Sequence, residues 1–195
     1  MSDPATLAFY EREAPDYTAS GAQGCARHLD AFLDRLAPGA RILELGCGGG
    51  RDAARMIERG FAVDATDGTV AMVGKARERF GVDARQMRFD ELDAEAEYDA
   101  VWAHASLLHA TRDALPAVLA RIRRALVPGG WHYANYKLGK GEARDTLGRL
   151  YNFPDTEWLL ATYREGGLEV VEADRYRGSG ADNVTRDWLA LTVRR

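Results

Sequence analysis

The chain has 195 residues, long enough to bury a sizeable core without a metal or disulfide staple. Hydrophobic residues make up 46% and charged residues 29%, a balance that excludes disordered and collagen-like chains. With 26 Lys and Arg against 30 Asp and Glu the net charge is −4, so there is no general basic field to grip a phosphate backbone and a nucleic-acid partner is not expected.

Cys25 and Cys47 form no CxxC pair, and no metal site is expected from them. The opening MSDPATLAFYEREAPDY is acidic and interrupted by proline, unlike a signal peptide. No apolar run approaches the roughly 20 residues that span a bilayer. These features lead to the expectation of a cytoplasmic protein without a membrane partner.

The N-terminal segment reads as a helical cap. Cys25, Leu29, Phe32, Leu33 and Leu36 recur at helical spacing, which puts Cys25 on the apolar face and predicts a helix that Pro38-Gly39 ends. Residues 41–45 form a short apolar run, too short for a helix and bounded by glycines, and read as a buried strand. Strands and helices then alternate: helix 50–59 stopped by Gly60, strand 61–66, helix 69–80 stopped by Gly81, strand 84–89 and strand 98–104. Thr111 is placed to cap a helix with Leu115, Val118, Leu119, Ile122 and Leu126 on its apolar face.

Pro128-Gly129-Gly130 breaks that helix before a strand at 131–137, and a polar loop runs from Leu138 to about Pro154. Helix 155–165 leads to strands 168–176 and 186–193, separated by the turn-rich RGSGADN. With no helix between them, these two are expected to pair antiparallel. The alternation predicts an α/β fold with a mostly parallel sheet. One domain is expected, with a cap over residues 1–39, a core over 40–137, and a loop, helix and final β-hairpin over 138–195.

The richest stretch is ILELGCGGGRDAA, residues 42–54, where a strand runs through Gly46-Cys47-Gly48-Gly49-Gly50 into a helix. Glycines there allow a sharp turn and close approach to a bulky ligand, and the helix start offers unpaired amide hydrogens. The dinucleotide fingerprint GxGxxG needs a third glycine at position 51, which is arginine here. An NAD-dependent oxidoreductase is therefore disfavoured.

The spacing Glu44-x-Gly46-x-Gly48-x-Gly50 instead resembles the first motif of class I S-adenosylmethionine-dependent methyltransferases. Further motifs carry the likeness: Asp67-Gly68-Thr69 with Met72 and Ala76, Tyr98-Asp99-Ala-Val-Trp102, and Leu126-Val-Pro128-Gly129-Gly130. Gly50-Arg51-Asp52 and the compact size are similar to a small-molecule, tellurite-resistance-like group. The resemblance implies a three-layer Rossmann-like sandwich, with a seven-stranded, mostly parallel sheet whose last strand is antiparallel. It further implies S-adenosyl-L-methionine as cofactor, with Glu44, Gly46, Cys47, Gly48, Gly50, Asp52, Asp67, Gly68, Asp90 and His104 around it. Asp67 would hold the ribose hydroxyls, with Asp64 as its rival, and Asp90 would face the adenine, with Phe89 and Leu92 as walls.

Methyl transfer from a sulfonium needs alignment and exclusion of water, with a general base only if the acceptor arrives protonated. His104 and His109, after the fourth strand, are the catalytic candidates, each against a purely structural role. Tyr10 and Tyr17, in a Y-x-x-x-A-x-x-Y spacing, together with Lys137, Arg149 and Tyr151, are the substrate-binding candidates. The two cations suit an anionic small molecule. Gly148-Arg149-Leu-Tyr151 also resembles a stretch in tRNA wobble-uridine methyltransferases. That activity and a non-catalytic S-adenosylmethionine-binding protein stay open as alternatives, as do the acceptor atom and the oligomeric state.

Overall fold

The computed structural model describes residues 3–20, 25–180 and 184–195. In chain order the elements are α1 (Pro4–Ser20), α2 (Leu29–Leu33), β1 (Arg41–Leu45), α3 (Arg51–Glu58), β2 (Ala62–Asp67), α4 (Val70–Phe80), β3 (Arg85–Gln86) and β4 (Tyr98–Ala103). There follow α5 (Leu115–Ala125), β5 (Leu126–Lys137), β6 (Gly141–Arg144), β7 (Leu150–Phe153), α6 (Thr156–Glu165), β8 (Glu169–Ser179) and β9 (Thr185–Arg194). Seven strands form one sheet in the order β3-β2-β1-β4-β5-β9-β8, while β6 and β7 pair as a separate hairpin. The pairs among β1 to β5 are parallel, and β9 runs antiparallel to both β5 and β8.

Alternation along the central strands divides the core between the two faces. Leu43, Val101 and Ala103 pack with Leu115, Leu119, Ile122 and Tyr163 of α5 and α6. Ile42, Ala100 and Trp102 face the other way, onto Phe32, Leu33 and Met56 of α2 and α3. The chain leaves β1 for β2 on one side and reaches β4 on the other, so the strand order reverses at β1. In open α/β sheets that reversal opens a crevice beyond the carboxyl ends of the strands.

The fold class matches expectation, while several local readings change. The helix read from 25 onward is restricted to Leu29–Leu33, because the Ala26 amide donates to Asp52 Oδ1 at 3.0 Å instead of entering a helix. Cys25 is consequently exposed, not core. Thr111 Oγ1 accepts from the Ala114 amide and closes the turn before α5, whose N-cap is Ala114, while Leu126 opens β5. The third strand shortens to two residues, followed by a short 3₁₀ turn at Phe89–Glu91.

The largest departure is in the polar stretch 138–154, which contains the β6–β7 hairpin. Its first strand, GEAR, has no apolar alternation to announce it. The hairpin is held by contacts from distant residues: Arg144 donates to both oxygens of Asp3, and the Leu150 amide donates to Thr6 Oγ1 at 2.8 Å. In the turn-rich RGSGADN, residues 181–183 lie outside the described residues.

Candidate active site

A cleft of about 800 Å³ lies at the carboxyl ends of β1, β2 and β4, roofed by α1. That volume falls in the range of small-ligand sites. Gly46, Cys47, Gly48 and Gly49 form its floor with Glu44, Asp52, Asp67 and Gly68.

The loop geometry explains two of the glycines. Gly46 has φ +82° and a Cβ there would stand 2.5 Å from Ser106 Cβ, so neither the backbone nor the space admits a side chain. Gly48 has φ +52° with nothing within 4 Å of a Cβ, leaving its face open to the cleft. Gly50 acts differently from expectation: its Cβ would meet Ala76 Cβ at 2.8 Å, so it serves the packing of α3 on α4 and does not line the cleft.

Asp67, the last residue of β2, organises this loop. Its Oδ2 accepts from the Gly48 amide at 3.0 Å, and its Oδ1 accepts from the amide and hydroxyl of Thr69, both at 3.0 Å. Asp64, the rival position, is instead engaged by both Arg85 and Tyr98. Glu44 is 3% exposed, and its Oε2 has no hydrogen-bond partner although it lines the cleft. Burial and the charges of Asp52 and Asp67 push its carboxyl well above the usual range, so a cationic group beside it would be strongly favoured. Arg51, Arg79 and Arg88, three of the five cleft arginines, lie nearer solvent than Glu44 and Asp52.

Met72, Met87 and Phe89 form an apolar end next to Arg88. Asp90 is turned away from the cleft lining, with Oδ1 buried and unpartnered.

The two histidines differ sharply. His104 lines the cleft beyond β4, with Nδ1 3.8 Å from Asp52 Oδ2, and burial lowers its pKa so that it is neutral near pH 7. Asp52 is fixed on its other sides by the Ala26 amide and by Trp102 Nε1, which donates at 3.1 Å. His109 has both nitrogens engaged. Nδ1 lies 2.6 Å from the Leu150 carbonyl, which can only accept, so Nδ1 carries the hydrogen and Nε2 accepts from the Tyr10 hydroxyl at 2.9 Å. Burial holds the His109 pKa down to about 4.

Arg149 completes that chain. It is fully buried, donates to Asp145 Oδ2 from Nε at 2.9 Å and Nη2 at 2.7 Å, and reaches Tyr10 Oη from Nη1 at 3.1 Å. Its charge is thus matched inside the protein, and it holds Tyr10 in place of an anionic ligand. Tyr10 and Tyr17 line the cleft and meet edge to face at 5.1 Å, whereas Lys137 and Tyr151 are buried outside its lining, with Nζ 4.2 Å from the Tyr151 ring.

The far end of the cleft is made by Arg27, Asn135, Tyr176, Arg177 and Trp188, none of which the sequence marked as functional. One signal was present: Asn135 is a fully buried amide in the apolar strand WHYANYK. No comparable local pattern identifies Tyr176 or Arg27. Among the described residues, no group of three His, Cys, Asp or Glu side chains is placed to hold a metal ion, and no helix is long and apolar enough to cross a membrane.

Residues 42–130 match the methyltransferase-domain family. An uncharacterised methyltransferase of Mycobacterium tuberculosis is 37% identical over 111 residues, covering 53% of this chain and 54% of that protein. The chain thus spans about half the length of the curated relatives it matches. Among solved structures, the Burkholderia thailandensis 1,6-didemethyltoxoflavin-N1-methyltransferase, with bound 1,6-didemethyltoxoflavin and S-adenosylhomocysteine, superposes with a TM-score of 0.79 at 24% identity. The match covers 98% of this chain and 87% of that one. Phosphoethanolamine N-methyltransferase 2 of Haemonchus contortus, in complex with S-adenosyl-L-methionine, gives 0.78 at 17% identity over 97% and 60% of the two chains. At these identities the two structures establish a shared fold.

Proposed function

We propose that this chain is a class I S-adenosylmethionine-dependent methyltransferase that transfers a methyl group from S-adenosyl-L-methionine to a small-molecule acceptor. The observation that carries the reading is Glu44. Its buried, unpartnered Oε2 faces the cleft beside a glycine loop open at Gly48, and Asp52 and Asp67 lie close by. A cluster of buried carboxylates suits a cofactor with a cationic amino-acid end and disfavours a pyrophosphate. Relatives and structural neighbours that carry methyltransferase names support the same reading.

In this reading Glu44 and the Gly46–Gly48 backbone hold the methionine end, Asp67 takes the ribose hydroxyls, and Met72, Met87 and Phe89 enclose the base. When bound, S-adenosyl-L-methionine supplies a methyl carbon already activated by its sulfonium. The chain's own work is to orient the acceptor and exclude water. Helix α1, which roofs the cleft, does the latter, with Tyr10 pinned by Arg149 and His109. His104 is neutral and open to the cleft, so it takes the proton of an acceptor that arrives protonated. His109 positions Tyr10 and, with both nitrogens engaged, does not serve as base.

Calorimetric titration with S-adenosylhomocysteine and with NADH tests the cofactor. Binding of the first and not the second is expected, weakened about 10- to 100-fold in Asp67→Ala, the loss of one or two hydrogen bonds to a charged group. Binding of NADH, or indifference to Asp67, would refute the assignment.

A further inference from the structure

The part of the cleft lined by β5, β8, β9 and Arg27 has a chemical character of its own. Tyr176 of β8 and Trp188 of β9 stack with ring centroids 6.1 Å apart at 12°, Trp188 buried and Tyr176 half-buried at the cleft. The Arg27 guanidinium stands 4.9 Å from the centre of the Tyr176 ring. Among the described residues Arg27 is exposed and has no carboxylate partner. An exposed planar cation seated on a stacked aromatic pair accommodates a flat, π-conjugated molecule beside it and favours negative charge on that molecule.

The hydrogen-bonding groups at this end are unbalanced toward donors. Tyr176 Oη accepts from Asn135 Nδ2 at 2.9 Å, which leaves the tyrosine O–H and the second Asn135 N–H with no partner among the described residues. The acceptors nearest these donors each take one hydrogen bond. Asn135 Oδ1 takes the Ala105 amide at 2.6 Å, the Gly178 carbonyl takes Trp188 Nε1 at 3.0 Å, and Asp174 Oδ2 pairs with His28 Nε2 at 2.9 Å. A ligand that brings lone pairs satisfies the two open donors.

Asn135 also connects this end to the turn after β4 that carries His104. Its bond to Ala105 supports a residue at φ +52°, a left-handed conformation that alanine adopts only when its surroundings hold it there. The same side chain therefore fixes the turn beside His104 and the hydroxyl of Tyr176.

We infer that Arg27, Asn135, Tyr176 and Trp188 form the acceptor subsite, and that it takes a planar, lone-pair-rich heteroaromatic anion. The inference rests on the methyltransferase reading, which makes this end of the cleft the place of the methyl acceptor. Flexible aliphatic amines lack both the flat face and the surplus of lone pairs that these groups recognise.

The test is a binding titration on the full chain saturated with S-adenosylhomocysteine. The probes are the planar heterocycles lumazine and xanthine, at a pH where each is ionised, against phosphoethanolamine as a flexible control. Both heterocycles are expected to bind and the control not to. Tyr176→Leu should weaken the heterocycles about tenfold or more, Tyr176→Phe less, because it keeps the ring and loses one donor. Arg27→Gln should weaken only the ionised form, and none of the three variants should change S-adenosylhomocysteine affinity by more than about twofold. If the product binds and neither heterocycle does, or if binding ignores both Tyr176 and Arg27, the subsite assignment is wrong. If S-adenosylhomocysteine itself fails to bind, the underlying cofactor reading falls, and the subsite with it.

Discussion

The two ends of the cleft are built in opposite ways. The glycine-loop end comes largely from one stretch of chain, Glu44 to Thr69, where a strand, a tight loop, a helix and a second strand bring the cofactor candidates together. The other end draws Arg27, Asn135, Tyr176 and Trp188 from four separated segments, whereas the α1 lid, pinned at Tyr10 by His109 and Arg149, lies with Leu7 and Thr18 against Gly68 and Gly49. A site made by one supersecondary unit leaves a readable spacing, because its geometry is fixed by neighbouring peptide bonds. A site made by packing leaves none.

Breaking the lid should cost most. Arg149→Met leaves Asp145 charged and buried, its side chain only 6% exposed, and should destabilise the protein by about 3–5 kcal/mol in urea unfolding. The double variant Arg149→Met with Asp145→Leu should recover most of that loss, since no unpaired charge remains. Failure of the second change to rescue would mean the pair is not what holds β6–β7 to α1.

Acid should open the same region next. His109 and His132 both have folded pKa values near 4, held below the ordinary 6.5 by burial. The unfolded chain therefore binds more protons between about pH 4 and 6.5. Stability is full above that window and falls as pH drops through it, by up to about 3 kcal/mol for each histidine. Protonated His109 can no longer accept from Tyr10, so the loss should include detachment of the lid. Urea midpoints at pH 7.5 and 5.0 measure the change, and a flat profile would contradict it.

At the glycine-loop end the effects should be graded by what each Cβ meets. Gly46→Ala faces a left-handed backbone and Ser106 Cβ at 2.5 Å, and should cost about 2–3 kcal/mol. Gly68→Ala meets only the tip of Leu7, Cδ2 at 2.8 Å, which can swing aside, so about 1 kcal/mol or less is expected. Equal losses in thermal or urea unfolding would mean that the loop geometry does not distinguish them.

Much of the fold was legible in advance. Period-two and period-3.6 patterns located the main strands and α3 to α6, and the absence of a helix between the last two strands marked their antiparallel pairing. The β6–β7 hairpin escaped because GEAR has no apolar alternation. Its stability comes from Asp3, Thr6 and Tyr10, more than 130 residues away in the chain. Cys25 was misjudged for a related reason. Helical spacing placed it inward, but Asp52 captures the Ala26 amide and keeps residues 25–28 out of the helix.

The sequence by itself determined the strand–loop–helix unit at Glu44–Asp52, the acid at the end of β2, and the order of alternation that gives the sheet. These are local consequences of glycine conformation, side-chain periodicity and helix-terminus chemistry. Only the tertiary structure decided which cations are free to meet a ligand. Arg149, an attractive anion binder by residue type, is neutralised by Asp145, whereas Arg27, with no motif around it, stands in the cleft. Charge is a property of the residue, but its availability depends on which partner the fold brings within hydrogen-bonding reach.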